Sequence, residues 1–244
     1  MKQNIVILSP HPDDACFSLG GSILKHKDDN ITVWNIFSRQ EFSILKEDSN
    51  NALERIKAEE LEVSYNLQVS VVFEDYPEAG LRGFQRLSEI IGAPWPIKNN
   101  RVQEQQTYNS LISKIESFLI NKNHIYLGLP LGSGAHIDHL MCREAALHVL
   151  NNSLKAIDCN VFFYEDLPYS INQSWLDSAI DSLKIRGYKL KPMLLDISNY
   201  VAKKEYIMSL YKSQIKQRDI KKMLGYAKEI EPSKYCERIW ILEA

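Results

Sequence analysis

The chain has 244 residues, of which 45% are hydrophobic and 25% are charged, and its formal net charge is −2. These values are typical of a folded globular protein, and they exclude long disordered regions, collagen-like repeats and disulfide-dense miniproteins. A nearly neutral chain gives no electrostatic reason to expect a nucleic-acid or membrane-surface partner. No apolar run approaches the roughly 18 residues that a membrane span needs.

The N-terminal residues and the cysteines both bear on where the protein works. The first apolar run, Ile5–Leu8, is followed at once by proline and polar residues, which is not the pattern of a signal peptide. The four cysteines are scattered without CxxC spacing, which predicts reduced thiols in a cytoplasmic protein. They are Cys16, Cys142, Cys159 and Cys236.

Apolar runs of strand length recur along the first two thirds of the chain, with helical segments between them. The runs are Ile5–Leu8, Ile31–Phe37, Val69–Phe73, Ile125–Leu129 and Val161–Tyr164. Helices are predicted at Cys16–His26, Asn51–Tyr65, Gln103–Asn121 and Ile137–Leu150. The runs are unbroken rather than alternating, as in strands buried on both faces of a parallel sheet. The alternation predicts an α/β fold with a Rossmann-like, mostly parallel sheet and helices on both faces.

The last third of the chain has a weaker pattern. Ser174–Leu183 and Tyr200–Gln217 are predicted to be helical. Lys189–Ile197 and Arg238–Leu242 are predicted to be strands near the edge of the sheet. No Gly/Ser-rich linker interrupts the sequence, so we expect residues 1–244 to form a single domain.

Two segments are predicted to form the rim of a pocket. The longest irregular stretch, Glu74–Arg101, holds three of the nine prolines. A loop of this length in a compact domain is more often functional than idle. The segment Tyr164–Tyr169 follows a predicted strand and therefore ends at the same edge of the sheet.

Two polar clusters directly follow predicted strands. Residues 9–14 read Ser-Pro-His-Pro-Asp-Asp, and residues 132–139 read Gly-Ser-Gly-Ala-His-Ile-Asp-His. In open α/β sheets, ligands bind beyond the carboxyl ends of the strands, so we expect the two clusters to form one site. Their candidate metal ligands and proton carriers are His11, Asp13, Asp14, His136 and His139, with Asp138 beside them.

This set of side chains suits metal-dependent hydrolysis. Two histidines and one carboxylate can hold a catalytic zinc with a position open for water, and the same donors suit Fe(II). Of two adjacent aspartates, one can bind the metal while the other takes a proton from the water. His136 and His139 share one face of a helical turn, so one can bind the metal and the other can face the substrate. The residues alone do not decide which member of each pair does which.

The two clusters also carry a family resemblance. Pro10-His11-Pro12-Asp13-Asp14, followed by Leu19-Gly20-Gly21, resembles the opening motif of the PIG-L/LmbE-like zinc-dependent N-acetyl-sugar deacetylases. Residues 129–139 are similar to the second motif of that family. Weaker similarities follow in the same order at Arg55 with Glu59, at residues 75–83 and at residues 164–169. Residues 4–170 are covered, and the presence of both histidine motifs makes the resemblance specific.

The resemblance implies a role for each residue of the two clusters. The implied metal ligands are His11, Asp14 and His139. Asp13 matches the general base of the family. His136 matches the residue that stabilises the oxyanion or protonates the leaving amine, and we expect it to act in its protonated form. Asp138 matches a carboxylate that orients His136.

Three further residues are candidates for substrate binding. Arg39 and Arg82 are predicted to reach substrate hydroxyls or a phosphate, and Asp166 is predicted to line the pocket. We therefore expect a zinc-dependent hydrolase that removes an N-acetyl group from a small amino sugar or glycoconjugate. The alternatives are a metal-dependent esterase or phosphoesterase on the same ligands, and a non-catalytic sugar-binding protein. Phosphoryl transfer usually needs two metals, and the candidate ligands suffice for one.

Overall fold

The computed structural model of the protein describes residues 2–45, 49–92, 95, 102–120, 122, 124–153 and 159–243. In this part of the chain, seven strands form one sheet in the order β3-β2-β1-β4-β5-β7-β6. The strands are β1 (Asn4–Ser9), β2 (Asn30–Asn35), β3 (Ser70–Phe73), β4 (Ile125–Pro130), β5 (Cys159–Tyr164), β6 (Leu190–Asp196) and β7 (Cys236–Leu242). The helices are α1 (Asp14–Lys25), α2 (Ser49–Leu67), α3 (Leu87–Ile90), α4 (Val102–Leu119), α5 (Ile137–Ser153), α6 (Gln173–Lys184), α7 (Val201–Met208) and α8 (Gln217–Glu229).

The sheet is parallel from β3 through β5 and antiparallel at its other end. β1 pairs in parallel with β2 on one side and with β4 on the other. β7 runs antiparallel to β5, and β6 runs antiparallel to β7. The strand order reverses between β1 and β4, and at such a point the carboxyl ends of the strands leave a crevice for a ligand. The predicted α/β fold is confirmed, with an antiparallel edge added to the parallel sheet.

Helices cover both faces of the sheet because side chains of a strand point alternately to either side. Val6 and Leu8 of β1 belong to a core cluster that includes residues of α4, α5 and α6. Ile7, between them, belongs to a second cluster with residues of α1, α2, α7 and α8. An unbroken apolar strand therefore supplies two hydrophobic layers, as the sequence pattern predicts.

The elements predicted from the first two thirds of the sequence are confirmed to within a few residues. The helix predicted at Tyr200–Gln217 is confirmed only over Val201–Met208, because α7 ends at Met208 and α8 begins only at Gln217. The segment between the two helices is held by polar contacts instead of helical ones. The amide and the hydroxyl of Ser213 both donate to the carboxylate of Glu59 on α2.

The long stretch at Glu74–Arg101 contains the short helix α3, and residues 93–94 and 96–101 lie outside the described residues. Among the helices that the structure describes, none is both long enough and apolar enough to cross a membrane. That residues 1–244 form a single domain stays a proposal. Limited proteolysis would test it.

Candidate active site

Three candidate metal ligands converge where β1 and β4 end. His11 follows β1, Asp14 begins α1, and His139 lies in the first turn of α5. The Oδ2 atom of Asp14 lies 3.2 Å from Nδ1 of His11 and 3.3 Å from Nε2 of His139. Donor atoms bound to one tetrahedral zinc at about 2.0–2.1 Å would lie roughly 3.3 Å apart. The three buried side chains therefore have the spacing that a divalent metal needs.

The hydrogen bonds of the two histidines also suit a metal. Nε2 of His139 is buried and has no hydrogen-bond partner among the described residues, which is costly for a polar atom. Its other ring nitrogen, Nδ1, lies 2.6 Å from Oδ1 of Asp166. In the same way, Nε2 of His11 lies 2.9 Å from Oδ2 of Asp138, while Nδ1 faces Asp14. Each histidine thus has one nitrogen held by a carboxylate and the other directed at the metal site, as in known zinc centres.

The charges at this site favour a cation. Burial would lower the pKa of His139, but Asp14 and Asp166 raise it to about 9. Burial likewise opposes the charge on His11, yet hydrogen bonds to Asp138 and Asp14 raise the pKa of His11 well above its usual value. Burial would raise the pKa of Asp14, but the charges of the two histidines keep it far below its usual value. Asp14 therefore remains ionised and attracts positive charge.

Asp13 has an unusual backbone conformation at the end of the first cluster. Its φ is 105° and its ψ is −37°, in a region that side chains other than glycine rarely adopt. Such strain costs about 1–3 kcal/mol and is found mostly at functional sites. Burial and the neighbouring charge of Asp14 raise the pKa of Asp13 well above its usual value. A carboxylate with a raised pKa, placed beside metal ligands, is suited to accept a proton.

Glu60 of α2 lies beside the backbone of Asp13, and the sequence pattern does not single it out as a site residue. Its buried carboxylate accepts hydrogen bonds from Nδ2 of Asn35 at 2.8 Å and from the hydroxyl of Tyr211. The signal in the sequence is a charge within the apolar stripe of α2, four residues after the buried Ile56. A buried carboxylate on an apolar helix face needs partners, so its position indicates a local hydrogen-bond network.

His136 is 9% exposed and lines the same cavity as the metal-binding cluster. Its Nδ1 accepts a hydrogen bond from the backbone amide of Asp138 at 3.2 Å, so the proton of the neutral ring is on Nε2. Burial and the charge of His139 lower the pKa of His136 well below its usual value. The expectation of a protonated His136 is therefore corrected, because the ring is a neutral hydrogen-bond donor.

The carboxylate of Asp138 does not orient His136, contrary to expectation. Its Oδ2 accepts hydrogen bonds from Nε2 of His11 at 2.9 Å and from the amide of Ala79 at 3.0 Å. Its Oδ1 accepts one from Arg82 at 2.6 Å. Asp138 therefore positions His11, a candidate metal ligand, through its side chain and His136 through its backbone.

The two candidate arginines lie outside the cavity lining. The guanidinium of Arg82 is fully buried and pairs with Glu104 at 2.8 Å as well as with Asp138. Arg82 therefore supports Asp138 from behind rather than facing a substrate. Arg39 is exposed, and its backbone forms an isolated bridge with Pro77.

Asp166 is completely buried, and it positions the candidate metal ligand His139 instead of lining the cavity. While Oδ1 faces His139, Oδ2 accepts hydrogen bonds from the amides of Gly132 and Ser133 at 2.7 and 2.9 Å. One carboxylate thus fixes both the loop before α5 and the histidine within it. Its place at the end of β5 is as expected from the sequence, but its role differs.

The site forms the floor of an open cavity of about 670 Å³. His11, Asp13, Asp14 and His136 line it. Residues from Glu78 to Ile91 form one wall, and Leu167, Pro168 and Tyr169 form another. The predicted contribution of both loop segments to the rim is confirmed. The carboxyl ends of β1, β3, β4 and β5 meet at this edge, which explains how distant segments come together.

A family model described as GlcNAc-PI de-N-acetylase matches residues 6–150, which include both histidine clusters. The chain belongs to the PIG-L family. One relative of this PIG-L protein is 2'-N-acetylparomamine deacetylase of Streptomyces fradiae. It is 23% identical over 238 residues, which cover 94% of this chain and 80% of the relative.

Solved structures share the fold over almost the whole chain. The zinc-inhibited form of teicoplanin deacetylase superposes with a TM-score of 0.74 at 17% identity, covering 99% of this chain and 98% of the other. N,N'-diacetylchitobiose deacetylase from Pyrococcus horikoshii has a TM-score of 0.64 at 14% identity, covering 99% of this chain and 84% of the other. At these identities the matches establish a common fold for the PIG-L protein and both enzymes.

Proposed function

We propose that this PIG-L protein is a metal-dependent hydrolase that removes the N-acetyl group from an amino sugar or a small sugar conjugate. The observation that carries the proposal is the convergence of His11, Asp14 and His139, of which His11 and Asp14 line the cavity floor with Asp13 beside them. The family description and the names of the three relatives described above support the reaction class, since each of these names a deacetylase. We also propose a cytoplasmic location, where its free cysteines would stay reduced.

The proposed cofactor is zinc, with Fe(II) or another divalent ion as the alternative. His11, Asp14 and His139 would hold it, and Asp138 and Asp166 would orient the two histidines. A divalent ion there would supply Lewis-acid activation of a water molecule and of the amide carbonyl.

The residues of the chain would carry the proton transfers. Asp13 accepts a proton from the attacking water, for which its raised pKa is suited. The Nε2–H group of His136 donates a hydrogen bond to the oxyanion that develops on the carbonyl oxygen. Asp13 then returns its proton to the amine as the carbon–nitrogen bond breaks, giving acetate and a free amino sugar. Because Nδ1 of His136 is occupied by the amide of Asp138, Asp13 is the better proton donor.

Metal content and amine release on the same preparations test the proposed function. Purified protein is expected to carry about one divalent metal per chain, as three ligands imply. It should release acetate and a primary amine from at least one member of a panel of N-acetylated amino sugars and aminoglycosides. Metal should be added in sub-stoichiometric steps, since one relative was solved in a zinc-inhibited form.

The outcome against the proposal is equally specific. Protein that contains a full complement of metal but releases no amine from any N-acetyl sugar would contradict deacetylation. Protein that has full activity after removal of its metal would contradict the metal-dependent mechanism. The His139→Ala variant is the matched control, because it should lose both the metal and the reaction.

A further inference from the structure

One wall of the cavity presents a carboxylate that forms no ion pair with any described residue. Oε1 of Glu78 accepts hydrogen bonds from the amides of Glu41 and Phe42 at 2.7 and 3.1 Å. Within the described part of the chain, Oε2 of Glu78 has neither a hydrogen bond nor an ion pair. The side chain is partly buried, so this oxygen has lost part of its hydration. A carboxylate that is fixed by the backbone and lacks a counter-ion favours a cationic ligand.

Gln40, on the same wall, presents an acceptor that lacks a partner. It is 4% exposed and lines the cavity, and the structure gives its Oε1 no hydrogen bond to any described residue. The orientation of its amide is fixed by its neighbours. Nε2 of Gln214 donates to the carbonyl of Phe42, so Oε1 of Gln214 is the acceptor for Nε2 of Gln40. The remaining polar atom of Gln40 is therefore a buried carbonyl oxygen that lacks a donor.

Apart from the histidines of the candidate metal site, the charged side chains that line the cavity are all acidic. Its acidic lining residues are Asp13, Asp14, Glu41, Glu78 and Asp219. Among the described residues that line it, none is lysine or arginine. Asp219 pairs with Arg218 and Lys222 outside the lining, whereas Glu41 and Glu78 have no ion pair in the described structure. A divalent ion at the floor would offset two negative charges, so the cavity would stay anionic.

We propose that Glu78, Glu41 and Gln40 form a subsite for a protonated amine, so that the preferred substrate carries a free ammonium group in addition to its N-acetyl group. This inference rests on the proposed deacetylation and adds a charge requirement to it. An ammonium group supplies both the positive charge that the carboxylates lack and the hydrogen that Oε1 of Gln40 lacks. A neutral hydroxyl would supply the hydrogen but not the positive charge.

The same geometry opposes anionic substrates. A phosphorylated sugar would bring its charge toward Glu41 and Glu78, and the described lining offers no cation to receive it. The subsite therefore separates this protein from a hydrolase whose substrate carries a phosphate, although both would use the same metal-binding floor.

A binding experiment tests the subsite without relying on turnover. Calorimetry on the metal-loaded protein would compare chitobiose, which has two free amines, with the neutral N,N'-diacetylchitobiose. The measurement is made below neutral pH and at low salt, where the amines are protonated. Chitobiose is expected to bind roughly 10-fold more tightly, and added salt should reduce the difference because screening weakens charge attraction.

Substitutions of the two wall carboxylates test whether they cause the preference for chitobiose. Glu78→Gln should remove most of the roughly 10-fold preference by weakening chitobiose binding. Glu41→Gln should reduce it less, and because Glu41 is exposed this variant also serves if Glu78→Gln fails to fold. Asp28→Asn removes an exposed carboxylate just after α1, near the opposite edge of the sheet, and should leave the preference unchanged.

The outcomes separate the subsite from the deacetylase proposal. Equal affinity for the two sugars, or a preference that survives both Glu→Gln variants, overturns the subsite even if N-acetyl sugars are hydrolysed. A preference that disappears with Glu78→Gln supports the subsite even if no tested sugar is deacetylated. Tighter binding of N-acetylglucosamine 6-phosphate than of N-acetylglucosamine would also overturn it.

Discussion

The two loops that build the site each place a histidine next to a buried carboxylate, but their backbones turn in different ways. The first, residues 10–14, and the second, residues 132–139, each deliver one histidine backed by a buried carboxylate. The second loop turns on Gly132 and Gly134, whose φ angles are 84° and 75°. The first loop reaches a similar region at Asp13, with φ 105°, without a glycine.

The difference lies in whether the residue at positive φ has a side chain. At position 132 no side chain is needed, and a Cβ there would meet Cδ2 of Leu140 at 2.8 Å. At position 13 the proposed role in proton transfer requires the carboxylate, so the strain is retained, and Glu60 lies beside the amide of Asp13. The first loop therefore keeps a carboxylate at a strained position, whereas the second loop makes its turn mostly with glycines, with Ala135 at φ 48° as its one other residue of positive φ.

The largest expected effect comes from replacing the two aspartates of the first loop one at a time, which tests whether they have different roles. Asp13→Asn should keep the metal but reduce turnover by roughly 10²–10⁴-fold, the usual contribution of a positioned acid or base. Asp14→Asn should lose metal, because a neutral amide replaces an anionic ligand, and should recover partly with added metal. Metal analysis and rates on both preparations measure this difference. Metal loss in Asp13→Asn, with retention in Asp14→Asn, would show that the two roles are reversed.

A smaller effect is expected from the carboxylate behind the second loop. In Asp166→Asn, the amide NH₂ would face Nδ1 of His139 and shift the ring proton to Nε2, the atom directed at the metal. Metal affinity should fall roughly 10–100-fold, as for other residues that orient zinc ligands. Competition with a chelator measures the affinity. Asp181→Asn on the exposed face of α6 is the control, and an equal loss in that variant would contradict the assignment.

The smallest expected effect is on stability and compares the strained position with the relaxed one. Asp13→Gly should be more stable than Asp13→Ala by about 1 kcal/mol, because glycine relieves the strain at positive φ but loses more entropy on folding. At position 132, where wild type already has glycine, Gly132→Ala should lower the free energy of unfolding relative to wild type. Denaturant unfolding of Asp13→Gly, Asp13→Ala and Gly132→Ala measures their free energies of unfolding. If Asp13→Ala equals Asp13→Gly, the backbone at position 13 is not strained.

The sequence determined the sheet and the location of the site. Unbroken apolar runs followed by polar clusters identify strands and their carboxyl ends, since buried parallel strands must be apolar throughout. The spacing of His136 and His139, together with His11 and the two aspartates, limits the chemistry to that of one metal. These signals are local, so they can be read without the fold.

Only the tertiary structure decided how the side chains divide the work. Asp138 bonds to His11 rather than to the ring of His136, and Arg82 lies behind Asp138 rather than in the cavity. Glu60 contacts the amide of Asp13 from another helix. These contacts join residues far apart in the chain, and hydrogen-bond partners at such separations depend on how helices pack on the sheet. Residue type and spacing therefore predict which groups are present, whereas packing determines which atom of each group faces the metal, the substrate or a supporting partner.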